Sequence, residues 1–182
     1  MIALGRASPG ISLVELLIVL LLLASLAVLA ALPLRQTIIR SAVAHQTTLL
    51  LGSLHLARSE ALRSGQVYSI CPSLDGLTCT TGDWNSGWLV YANSARALQP
   101  AAPSHIISRV RPTSLIDLQT VPNNTLRLHI NYTADGRTRQ LHGALQMGTI
   151  LICSQAWGEA LIINASGRPR REQRHCDAGD DA

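Results

Sequence analysis

The chain has 182 residues, 47% hydrophobic and 14% charged, with 15 Lys plus Arg against 11 Asp plus Glu for a formal net charge of +4. That length accommodates an apolar N-terminal segment and one further domain with a real core, but not two. So mild a net charge excludes polyanion binding through an overall field and leaves any such binding to how charge is distributed.

The first element is an apolar run. From Ile11 to Leu32 the residues suit a bilayer core, broken by one carboxylate, Glu15. At 1.5 Å per residue, a helix of this length crosses a core of about 30 Å. A carboxylate deep in such a helix costs about 2.5 to 3.5 kcal/mol on insertion scales and is normally kept for a partner. Cleavage after Gly10 would supply one, the new Ile11 ammonium, in the same chain or in a neighbour. Gly10-Ile11-Ser12-Leu13-Val14-Glu15 resembles the class III signal of type IV prepilins and type II secretion pseudopilins, with Ile11 where Phe is common. The resemblance implies cleavage by prepilin peptidase between Gly10 and Ile11, N-methylation of Ile11, an inner-membrane helix, and filament assembly through Glu15. The alternatives are a plain single-pass anchor and a secretory signal with Arg6 in its n-region and a cut site at Val28-Leu29-Ala30.

Pro33 follows the apolar run, where the prepilin family often places a kink, and a helical pattern resumes beyond it. Val43, Thr47, Leu50, Leu54, Ala57 and Ala61 form one stripe at spacings of three and four, a packing face rather than a cofactor site. Gln46, Ser53, Arg58 and Arg63 are expected on the solvent side, with Arg58 and Glu60 solvated. Gly65 ends the helix, because glycine takes the left-handed conformation without steric cost.

From residue 66 the pattern changes to short strands, predicted at 67–71, 87–91, 105–109, 115–118, 125–131, 149–153 and 160–164. The stretch 125–131 alternates most clearly, predicting Leu126, Leu128 and Ile130 inward and Arg127, His129 and Asn131 outward. Turn residues separate the strands at 73–76, 93–103, 123–124, 135–136 and 166–167. Trp84 and Trp88 are expected to cover the sheet edge or a disulfide loop, with a base-stacking role as the alternative for Trp84. Residues 177–182 are expected to fray.

All four cysteines, Cys71, Cys79, Cys153 and Cys176, follow the apolar run, where an exported domain meets an oxidising compartment. They permit three pairings, which the sequence leaves open. Nearest-neighbour pairing, Cys71 with Cys79 and Cys153 with Cys176, is preferred because each pair closes an apparent loop, worth roughly 2.5 and 3.5 kcal/mol on the chain-entropy model. No C-x-x-C or H-x-x-x-H spacing occurs, so no metal site is expected. The chain shows no Gly-x-Ser-x-Gly, no paired carboxylates in an apolar frame and no histidine motif, so a tethered exported enzyme is a remote alternative. No cofactor and no small-molecule substrate are expected.

These elements predict an α+β protein: leader 1–10, membrane or filament-core helix 11–34, amphipathic second half of that helix 35–65, and a β-rich domain 66–182 on an antiparallel sheet. Ala57-Arg58-Ser59-Glu60-Ala61, Ile70-Cys71-Pro72, Trp84-Asn85-Ser86-Gly87-Trp88, Ile150-Leu151-Ile152-Cys153 and Asn164-Ala165-Ser166-Gly167-Arg168-Pro169-Arg170 together resemble the GspH/FimT branch of minor pilins and pseudopilins. Residues 93–125 match it least. The partners so implied are other minor and major pilins or pseudopilins.

The segment from Gly167 to Arg174 places four guanidinium groups, Arg168, Arg170, Arg171 and Arg174, beside one carboxylate. In FimT-like pilins the Gly-Arg-x-Arg element implies non-specific binding of extracellular DNA in natural transformation, which carries to Gly167, Arg168 and Arg170. Arg171 and Arg174 extend that element on the residues alone, and Arg137 and Arg139, after Asp135-Gly136, repeat its pattern elsewhere in the chain. Three contacts to duplex DNA would give a log-log salt slope of roughly -2.7, hence weak binding. The competing reading of the segment is a solvated chain end or an edge that docks an acidic neighbour. A GspH-like pseudopilin of type II secretion is the alternative within the family.

Overall fold

The computed structural model describes residues 12–112 and 116–176, with the side chains of 28–33 set aside. Gly10, Ile11, the start of the strand expected at 115–118 and the C-terminal residues 177–182 lie outside the described residues. The chain divides into two compact units, Met1–Ile38 and Ile39–Ala182. Helix α1 runs over Leu13–Ser64.

In the first unit, every large apolar side chain described from Leu13 to Leu26 is exposed, and Glu15 lies exposed in the first turn of α1. Among the described residues no helix is long and apolar enough to cross a membrane. The described side chains of the run stop at Ala27, short of the ~20 apolar residues that a bilayer core requires.

In the second unit eight strands follow: β1 (Tyr68–Pro72), β2 (Trp88–Ala92), β3 (Ile106–Val110), β4 (Gln119–Pro122), β5 (Ile130–Tyr132), β6 (Gly148–Ser154), β7 (Trp157–Ile163) and β8 (Pro169–His175). They form two four-stranded sheets, ordered β3-β2-β1-β5 and β4-β6-β7-β8, rather than the one sheet expected. All of the pairings are antiparallel. The helical stripe Val43, Thr47, Leu50, Leu54, Ala57 and Ala61 is fully buried. Its apolar members join Ile70, Trp88, Val90, Ile130 and Tyr132 of the first sheet and Ile150, Ile152, Leu161 and Ile163 of the second in one core. Gly65, at φ +70, donates its N–H to Ala61 O at 3.0 Å and closes the helix.

Two sheets against one helix bury more than a single stripe. Gln46 and Ser53, expected in solvent, are therefore buried, and Ser53 Oγ accepts a 2.8 Å bond from Trp88 Nε1 while donating to Leu49 O. Arg58, also expected in solvent, is half-buried and donates Nε–H to Gly136 O at 3.0 Å. Trp84 is fully buried with Nε1–H on Arg127 O, so it offers no face to a base.

Two strand expectations and the chain-end reading of the arginine-rich segment need correction. The stretch 125–131 is strand only at its end: Leu126 N–H bonds back to Asn123 O, and the turn resets the alternation. Leu128 is thus 43% exposed, while His129 and Asn131 are buried. Both buried side chains find partners, His129 Nε2 at 2.8 Å from Leu98 O and Asn131 with Ser69 and Arg139 O. The strand expected at 115–118 lies instead at Gln119–Pro122, where pairing with β6 fixes it and Pro122 at its end needs no donor. The arginine-rich segment is strand β8 rather than a chain end, its ladder to β7 complete from Ile163↔Pro169 to Trp157↔His175.

On the face of the first sheet opposite α1, Cys71, Leu89, Tyr91 and Ile106 form a smaller cluster with Cys79 against it. The disulfides join Cys71 to Cys79 and Cys153 to Cys176. The structure separates two leucines that alternation alone makes equivalent. Leu126→Ala should cost about 3 kcal/mol and Leu128→Ala less than about 0.5 kcal/mol, as read by thermal or urea unfolding.

Candidate functional site

Within β8, alternate residues share a face. Arg170, Glu172 and Arg174 lie on one side, and Pro169, Arg171, Gln173 and His175 on the other. The turn that feeds the strand is built by Asn164, whose Oδ1 accepts from Arg168 N–H at 3.1 Å and Ser166 Oγ–H at 2.7 Å. Gly167 N–H bonds to Asn164 O, and its φ of +73 is one that glycine takes without strain. At the other end of the strand the Cys153–Cys176 disulfide lies over Gly158, where any Cβ would collide with Cys176 Sγ. Both ends of β8 are therefore fixed.

A second turn, from Thr133 to Arg137, carries the other Gly-Arg pair. Gly136 N–H bonds to Thr133 O at 2.7 Å and Thr133 N–H to Arg137 O at 2.9 Å. Asp135 Oδ1 accepts Thr133 Oγ–H at 2.5 Å, and that bond leads the causes that hold its carboxyl below its ordinary pKa. From α1, Arg58 clamps the turn through Gly136 O.

The two turns meet. A Cβ on Gly167 would run into the carbonyl oxygen of Gly136 and come within 3.1 Å of Arg137 Cα. Thr138 Oγ adds to the junction, donating to Gln146 O at 2.5 Å with Asn164 O at 3.4 Å. The backbones of Gly136-Arg137 and Gly167-Arg168, thirty-one residues apart, thus lie in contact.

The guanidinium groups are unequally available. Arg168 is exposed and forms no ion pair among the described residues. Arg137 lies 3.7 Å from Asp135 with both side chains more than half exposed, a weak pairing. Arg170 and Arg174 share Glu172, at 3.5 and 3.1 Å. Arg139 donates to Gly143 O at 3.2 Å. Arg171, on the opposite face, is ion-paired with Glu159, a carboxylate only 3% exposed whose Oε2 has no hydrogen-bond partner among the described residues. Six arginines therefore meet three carboxylates, and the freest, Arg137 and Arg168, stand at the turn contact.

The sequence alone assigns no site role to Arg58, Glu159 or Glu172. Alternation along 157–163 places Glu159 on the face of Trp157, Leu161 and Ile163, so a buried carboxylate was legible there; the reach of Arg58 to a turn 78 residues away was not. Cys71, Cys79 and His129 bring potential ligand atoms within 4.8 Å of one another. Both sulfurs are joined in the disulfide, which leaves no thiolate for a metal. Burial lowers the His129 pKa.

The family model described as type II transport protein GspH matches residues 46–167, about two thirds of the chain. The match covers neither residues 1–45 nor β8. Among solved structures the chain is similar to the type IV minor pilin FimU of Pseudomonas aeruginosa strain PAO1. In one crystal form of that protein the TM-score is 0.56 at 22% identity, over 73% of this chain and 90% of that chain. A second crystal form gives 0.48 at 23% identity, over 74% and 92%. No curated protein matches the chain. At such identity the likeness of the first crystal form shows a shared fold, a helix packed on antiparallel sheets. The extent of the family match carries the further conclusion that the chain belongs to the GspH family of minor pilins and pseudopilins.

Proposed function

We propose that this chain is a minor pilin that enters a type IV pilus through its N-terminal helix, helps to form the pilus tip, and presents the arginines around β8 to extracellular DNA in natural transformation. The observation that supports the DNA reading most is the contact between the Gly136 and Gly167 turns, which sets Arg137 beside Arg168 at the head of a strand bearing Arg170 and Arg174. A polyphosphate needs cations held close together on a preordered frame, and two locked turns with a strand stapled at its far end meet that need.

The ligand is duplex DNA read by its backbone. Single-strand binding sites combine a basic groove with aromatic platforms, and the Trp and Tyr side chains here are all buried or half-buried. No reading of base sequence is proposed, and no reaction.

For the N-terminal part we propose cleavage between Gly10 and Ile11 by prepilin peptidase, methylation of Ile11, and retention of the apolar helix in the inner membrane until assembly. The exposed leucines of α1 support this, since they need an apolar surround and Glu15 needs a cation. A pseudopilin of type II secretion is the second reading, favoured by the description of the matching family.

Two measurements test these proposals. Mass spectrometry of the mature chain should find methylated Ile11 at its N-terminus; Met1 or Ala31 there would remove the prepilin reading. A fragment starting at Arg35 should bind duplex DNA weakly at low salt. Arg168→Gln with Arg170→Gln should flatten its log-log salt slope by about 1.8, whereas Glu172→Gln should steepen it by about 0.9 because one more guanidinium charge becomes free. If the fragment ignores DNA at low salt, the DNA proposal falls.

A further inference from the structure

The loop closed by Cys71–Cys79 is held more firmly than its length requires. Asp75 Oδ1 accepts the N–H groups of Leu77 and Thr78 at 2.7 and 2.8 Å, Oδ2 accepts Thr78 Oγ–H, and Ser73 Oγ accepts Gly76 N–H at 2.9 Å. These bonds hold the Asp75 carboxyl far below its ordinary range. From β3 and just beyond it, Arg109 Nε–H reaches Gly76 O at 2.7 Å and Arg111 reaches Asp75 O at 2.7 Å. Gln99 pairs with both backbone groups of Cys79, at 2.7 and 2.9 Å, and so ties in the segment that carries Leu98.

What this frame presents is apolar. Leu74, Leu77 and Leu98 are 58%, 49% and 57% exposed. Arg109 and Arg111, both exposed, flank them without an ion pair among the described residues. The one carboxylate in the loop, Asp75, is already engaged by loop donors and leaves the patch with net positive charge.

We infer that this loop is a preformed docking knob for a different protein subunit of the same filament, one whose surface offers an apolar hollow rimmed by carboxylates. Rigid apolar anchors bind without losing conformational freedom, and two guanidinium groups fixed by loop carbonyls select carboxylates at defined positions. An anionic lipid surface shares part of this chemistry, but its recognition draws on clusters of roughly four to eight basic residues, and two are present. A symmetric contact with a second copy would set this basic patch against itself. The inference rests on family membership and is independent of the DNA proposal.

The test uses the full chain in the cells that make it, with a photo-crosslinking side chain introduced at position 77 and, separately, at position 98. Both positions should yield an adduct with the same non-identical pilin subunit, in an amount that falls as salt rises. Leu74→Ser with Leu77→Ser should lower the chain recovered in sheared filaments by about tenfold, with the disulfide and the unfolding midpoint preserved. Leu98→Ser, outside the closed loop, should act in the same direction and guards against a folding defect. Adducts with phospholipid or with a second copy, an absence of adduct, or unchanged filament recovery overturns the inference.

Discussion

The backbones touch at Gly136 and Gly167 because Gly167 carries no Cβ to strike Gly136 O, and both residues adopt a φ of +73; the open side of Gly136 faces Leu62 and Arg58 instead. The candidate site depends on that approach. One turn continues from β5 of the first sheet, the other joins β7 to β8 of the second, and their contact fixes one sheet's extension against the other's. Arg58 ties the same junction to α1. Displace either turn and Arg137 and Arg168 belong to separate surfaces.

Charge around this junction is balanced more finely than the count of arginines suggests. Arg171 is committed to the buried Glu159, and Glu172 stands between Arg170 and Arg174. An edge strand left with a row of unopposed cations would repel itself, and one with none would invite pairing with other chains. Glu172 relieves the first problem while the arginines guard against the second. On the proposed reading, a phosphate backbone at this edge would compete with one carboxylate for two guanidinium groups, so that attachment would be weak and reversible. The basic strand edge and the leucine-bearing disulfide loop are separate surfaces, the first proposed for a polyanion and the second for a protein.

How much of this was legible in the sequence depends on which force set each element. The helical stripe from Val43 to Ala61 and the stop at Gly65 follow from local periodicity and backbone freedom, and both stand in the structure. The apolar strands β1, β2, β6 and β7 were marked by hydrophobic runs between turn residues. Strand β8 was not, because Pro-Arg-Arg-Glu-Gln-Arg-His has no apolar alternation; its partner β7 and the Cys153–Cys176 staple make it a strand. The stretch 125–131 misled for the converse reason, its alternation interrupted by a turn at Asn123, its buried His129 satisfied by the distant Leu98 O and its buried Asn131 by Arg139 O just past the turn that follows. The two Gly-Arg-x-Arg patterns were visible as separate motifs. Their meeting was not, since a contact across thirty-one residues leaves no local signature.

The most direct test of that meeting follows the backbone amides of Gly136, Arg137, Gly167 and Arg168 by NMR in the fragment starting at Arg35, as a short DNA duplex is added. The account predicts that all four signals move together along one binding curve. Movement confined to one turn, or displaced to the surface around Arg109 and Arg111, would contradict it.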